Sequence, residues 1–138
     1  MSPQAYQRTV NSLKDAYAKK VALTFSTDAD YYVAGKTRGE VCMEFLKTWK
    51  DAGVPTADIL RAMTINGYKV SETDKTRGPI KAGYVADIIA VPGNPLDDIE
   101  ALRRVQFVMK DGQVFKKDGV MTPAAFFHGG PVNGWRIR

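Results

Sequence analysis

The run Val21-Ala-Leu-Thr-Phe-Ser-Thr-Asp-Ala-Asp30 decides how the rest of this chain is read. It opens as a short, mostly apolar, β-prone segment and ends in Ser26, Thr27 and two carboxylates, Asp28 and Asp30. A buried strand has this character, and an acid just past a strand's C-terminal end sits where α/β proteins place reacting groups. Asp28 is therefore the first candidate for chemistry. Asp and Ser also end strands by forming local turns, and the residues alone divide evenly between the two readings.

Upstream of this run, Tyr6, Val10, Leu13 and Tyr17 recur at alternating spacings of four and three among polar residues, which predicts an amphipathic helix over residues 3–20. Ser2 before Pro3 suits an N-cap followed by the first helical position, and Lys19 and Lys20 suit the negative end of the helix dipole. A helix feeding a strand that ends in an acid is half of a parallel βα unit, so Val21–Phe25 is expected to be a strand.

Downstream, residues 29–36 read as a loop. Asp30, Tyr31, Tyr32 and Lys36 could gather beside Asp28 as a polar cluster around a substrate: acids, phenols and an amine can do acid–base work. Thr37-Arg-Gly-Glu40 fits a capping box and starts a helix to about Ala52, with Val41, Phe45, Leu46 and Trp49 inward and Gly53 as its stop. A third helix is expected over residues 56–66, ended by Gly67. Cys42, the single cysteine, falls on an apolar stripe and reads as a small core residue; it excludes an internal disulfide.

Past Lys75 the character changes. Gly78-Pro-Ile-Lys-Ala-Gly83 is turn-rich, Ala86–Val91 is β-branched enough for a strand, and Asp97–Leu102 suits a helical turn. Asp111-Gly112, between two β-prone runs, is the pair that tight hairpins prefer. The tail holds Phe126, Phe127 and Trp135 among glycines and prolines, and three aromatics there argue for docking. The expected organisation is one folding unit: a helix–strand–helix–helix portion over 1–74, a small antiparallel β portion over 75–118, and a docking tail over 119–138.

With 44% hydrophobic and 25% charged residues, the 138-residue chain can bury one sizeable core. The net charge of +5 comes from scattered basic pairs, not from a basic stripe with interleaved aromatics, so nucleic acid is not an expected partner. No apolar run approaches membrane-spanning length and the N-terminus lacks a signal-peptide pattern, so a soluble, cytoplasmic protein without membrane contact is expected.

Taken together, Phe25-Ser-Thr-Asp-Ala29, the stretch Asp51–Asn66, the stretch Gly78–Val91, Asn94-Pro-Leu-Asp-Asp-Ile99 and Val105–Val114 resemble, in order, the C-terminal portion of the amidohydrolase superfamily. The imidazolonepropionase-like and Xaa-Pro dipeptidase-like branch is the nearest. The resemblance runs from about Val10 to Lys117. It implies metal-dependent hydrolysis of C–N bonds on a (β/α)8 barrel carrying zinc or another divalent metal, with a small β-sandwich beside it. On this resemblance Val21–Phe25 is the last barrel strand, and Asp28 ligates metal and exchanges a proton with the attacking water. Asp87 is a turn former without chemistry.

The α/β fold class is thus expected to hold terminal βα elements of the barrel plus an antiparallel β-sandwich element, because a complete barrel takes about 250 residues. The family's His-x-His pair, lysine or glutamate, and further histidines have no counterparts. The single histidine, His128, lies in the tail and makes with Asp28 and Asp30 a poor ligand set, whereas a catalytic zinc takes about three protein ligands. Two partners are therefore expected: further copies of the chain in a homo-oligomer, or a second polypeptide that completes the fold and supplies ligands. A non-catalytic oligomeric scaffold or binding module is the alternative function.

Overall fold

The computed structural model describes residues 2–28 and 32–123. Helix α1 spans Pro3–Ala18; the Ser2 side chain accepts from the Ala5 N–H, and proline occupies the first helical turn as expected. Its stripe buries Val10, with Tyr6, Leu13 and Tyr17 packed beside it. At Lys20 the chain turns through a left-handed conformation, φ 58°.

The capping box forms as read. The Thr37 side chain accepts from the Glu40 N–H, and the Glu40 carboxylate accepts from the Thr37 N–H at 2.7 Å. The helix it starts is broken in two, however: α2 spans Arg38–Glu44 and α3 spans Leu46–Asp51, with Phe45 between them. Gly53, at φ 74°, follows α3 as its left-handed stop. The third expected helix is also divided. Helix α4, Thr56–Met63, ends at Thr64, whose φ of −127° and ψ of −89° leave the helical region and whose hydroxyl donates back to the Leu60 carbonyl at 2.6 Å. Helix α5 then spans Ile65–Val70 and contains Gly67, so that glycine is not the stop that the sequence suggested.

Strand β1 is Ile88–Ala90, and after a 3-10 helix over Ile99–Arg104 come β2 (Phe107–Lys110), β3 (Gln113–Lys117) and β4 (Val120–Met121). All pair antiparallel in the order β1-β2-β3-β4. Asp111 and Gly112 have φ of 50° and 77°, the doubly left-handed turn whose twist matches its flanking strands. Asp118 and Gly119 repeat it at 51° and 79° and add β4, which the sequence reading did not include. Between these turns the register slips, Val108 facing Lys116 while Met109 faces Val114, which makes a bulge at Phe115. The described residues form one four-stranded antiparallel sheet, and a second layer of the sandwich that the resemblance implied is not among them.

The expected strand Val21–Phe25 is not one. Residues 21–28 run without turn or bend, yet no described strand pairs with them. Instead the Phe25 N–H donates to the Ala62 carbonyl of α4 at 2.9 Å, and the Asn66 side chain of α5 donates to the Leu23 carbonyl at 2.8 Å. A mostly apolar, β-prone run reports an extended chain but not whether a neighbouring strand exists; here helices meet one edge, and Val21 and Ala22 are exposed where a buried strand was expected. Leu23 and Phe25 pack against a cluster of Val10, Leu46, Trp49, Ala52, Val54, Ile59, Ala62 and Ile99, in which Leu46 and Ile59 are fully enclosed. The Phe25 ring meets Trp49 with centroids 5.7 Å apart. Ile99 brings the 3-10 helix into this otherwise helical core.

Candidate functional site

The extended run opens on two clefts. One, of about 440 Å³, lies beside Val21, Ala22 and Leu23 and is walled by α1, α3 and α4. Inside it Tyr17 donates to the Asp58 carboxylate at 2.6 Å and Arg61 pairs with the other oxygen. The Tyr17 bond, then Arg61, hold the Asp58 carboxyl below its ordinary range, and the same bond raises the Tyr17 phenol. Sequence reading placed Tyr17 only in an apolar stripe and missed this pairing, because the two residues lie forty-one positions apart.

The second cleft, of about 760 Å³, lies where the run ends. Phe25, Met43, Met63, Ile89, Leu102 and Val105 give it apolar walls. Lys36 pairs with Glu44 along its edge. Arg103 closes another side, its guanidinium donating to the Met43 carbonyl at 2.9 Å and to Glu100. Lys50 also reaches Glu100, at 2.8 Å. Lys50 first and Arg103 second keep the Glu100 carboxyl below its usual range. Cys42 is half-buried in this cleft, with its sulfur 3.2 Å from the Thr27 hydroxyl, so the end of the run is fastened to α2 through the one thiol.

Asp28 ends the run in a left-handed conformation, φ 43°, and is exposed. Aspartate tolerates this backbone better than most residues do. Of the other residues expected to gather beside it, Tyr32 is 83% exposed, and Lys36 turns to Glu44. Neither makes a hydrogen bond or ion pair to Asp28 among those found in the described residues, so the two do not assemble the expected cluster through polar contacts. Asp30, Tyr31 and His128 lie outside the described residues. Among the described residues no three His, Cys, Asp or Glu side chains converge as a metal site would require. Asp28 alone does not fit a divalent metal. Nor is any helix among the described residues long and apolar enough to cross a membrane.

The sequence profile of the amidohydrolase family matches residues 4–115, from α1 through the Asp111-Gly112 hairpin. The chain belongs to the amidohydrolase family. Among its curated relatives is an ochratoxinase of Aspergillus niger, 27% identical over 121 residues, which are 80% of this chain and 24% of the relative. A crystal structure of a Xaa-Pro dipeptidase with bound methionine superposes with a TM-score of 0.69 at 30% identity, covering 78% of this chain and 25% of that one. Molinate hydrolase shares the fold with a TM-score of 0.63 at 21% identity, over 96% of this chain and 29% of that one. The chain thus spans about a quarter of the length of the amidohydrolases it matches.

Proposed function

We infer that this chain is the portion of an amidohydrolase that carries the terminal βα elements of its barrel, and that it takes part in hydrolysis of a C–N bond only when another polypeptide completes the site. The family match, which spans both sides of Asp28, carries this reading. In it Asp28 is the acid–base residue: it accepts the proton of the attacking water and returns it to the leaving nitrogen. The ligands for zinc or another divalent metal come from the completing polypeptide, since the described residues hold no such set. The similarity to a Xaa-Pro dipeptidase makes a dipeptide with C-terminal proline the first substrate to try.

Native mass spectrometry of the undenatured protein reports subunit count, metal and any retained polypeptide in one spectrum. A second polypeptide bound together with metal, and proline dipeptide hydrolysis that Asp28→Asn abolishes, are the expected results. A metal-free, inactive assembly of identical chains supports the second reading, a non-catalytic oligomeric scaffold. In a scaffold Asp28→Asn changes stability by no more than about 0.5 kcal/mol, because asparagine also accepts a left-handed backbone.

A further inference from the structure

Asp28 ends a run whose helix-facing edge is held at two points. The Phe25 N–H donates to the Ala62 carbonyl at 2.9 Å, and the Asn66 side-chain amide donates to the Leu23 carbonyl at 2.8 Å. A neighbouring strand would offer acceptors and donors in alternation along its edge. The junction of α4 and α5 offers the same pair from two sources. Ala62 lies in the last turn of α4, where backbone carbonyls have no donor within the helix, and supplies the acceptor. The break at Thr64 then starts α5 at Ile65, and the Asn66 side chain, in its first turn, supplies the donor.

We propose that Asn66 is a positioning residue for Asp28: by holding the Leu23 carbonyl it sets the direction in which the run carries Asp28 past the helices. This deepens the hydrolase reading and rests on Asp28 being its acid–base residue.

Two bonds fix a direction, whereas one leaves a pivot. Without the Asn66 amide the run keeps the Phe25 bond to α4, and Asp28 lies three residues beyond it, about 10 Å along an extended chain. A tilt of about 20° about that bond moves Asp28 by about 3 Å, the full length of the hydrogen bond a base makes to the proton it takes. A misplacement of about 1 Å can already cost about a hundredfold in rate. The other contacts of the run do not replace the Asn66 bond. The Val21 N–H donates to the Ala16 carbonyl of α1 at 3.0 Å and ties down the start of the run, away from Asp28. The Phe25 ring meets Trp49 at the pivot itself. Past the pivot the Thr27 hydroxyl lies 3.2 Å from the Cys42 sulfur, a weak hydrogen-bonding atom whose contact reports whether the end of the run is in place.

Asn66→Asp keeps the shape of the side chain and removes the donor. The test places it in a Thr27→Cys background of the full chain, where the introduced thiol lies within reach of Cys42, and a glutathione redox titration reads the effective concentration of the two thiols. In chains with an unchanged far-UV circular dichroism spectrum, Asn66→Asp should lower that concentration about tenfold or more, and in urea the two chains should agree. A substitution that only lowered stability would leave the value in the folded chain as it was. If Asn66→Asp does not fold, Asn66→Ala takes its place. In the complex that hydrolyses a proline dipeptide, the same substitution should lower kcat about tenfold or more and leave KM within about twofold, because the base moves and the binding surfaces do not. An unchanged effective concentration, or a lowered one beside an unchanged kcat, overturns the proposal. Hydrolysis absent from the wild type itself is the failure of the hydrolase reading, told apart from this one by a thiol titration that still gives the expected fall.

Discussion

The helical half and the sheet half of this molecule are held together by different means. Val10, Val41, Leu46, Trp49, Ala52, Val54, Ile59 and Ala62 are all buried on or between the helices, whereas no residue of the four strands is fully buried. The sheet is held by register, two left-handed turns and a charged latch. Arg77 pairs with Asp87 and Asp111 at once, and the Asp111 N–H donates to Asp87 at 2.8 Å. The difference teaches where substitutions will be felt: packing governs one half and polar geometry the other.

The largest expected effect is in the helical core. Leu46→Ala should destabilise the chain by about 3 kcal/mol, through lost transfer energy and the cavity left behind, as urea denaturation would measure. Ile99→Ala sharpens the contrast, since Ile99 is the core residue that the second half lends to the helices. A loss of about 2 kcal/mol is expected, with helical and sheet signals shifting together; a shift in one alone would show that the halves melt separately. Thr37→Ala removes the cap of α2 and should cost about 1 kcal/mol.

The latch predicts a pH dependence. The Asp111 N–H first, and Arg77 next, hold the Asp87 carboxyl below its ordinary range, so its folded pKa is lower than its unfolded one. Its contribution is complete above the unfolded value of about 3.9 and is lost as pH falls from there through the folded value. Asp87→Asn should therefore flatten part of the acid limb of the stability curve while leaving the slope near neutral pH unchanged. The smallest effect belongs to the rim of the larger cleft: Lys36→Gln breaks an exposed pair and should change stability by no more than about 0.5 kcal/mol.

What could be read from the sequence follows the same division. Ser2, Thr37 with Glu40, Gly53 and Asp111-Gly112 act through neighbours within a few positions, so residue types alone announce them. The breaks at Phe45 and Thr64 carry no Gly or Pro to announce them. Val21–Phe25 was legible as extended but not as unpaired and only partly buried, because its surroundings depend on α4 and α5, some forty residues away. The candidate site divides likewise. Asp28 could be found as an acid ending a β-prone run, while the cleft of Cys42, Glu44 and Arg103 arises from contacts that span up to sixty positions. The Asp58 pairing with Tyr17 was hidden for the same reason.

The successive order of β2, β3 and β4 bears on how fast the molecule assembles. Each of these pairings closes across a two-residue turn, so little chain entropy is spent before the first cross-strand bonds form, and hairpins of this kind arise in about 1–10 μs. The run at Val21 finds Ala62 and Asn66 only after a loop of some forty residues has closed. The half with the thinner core thus has the shorter search, and the enclosure of Leu46 and Ile59 belongs to the slower step.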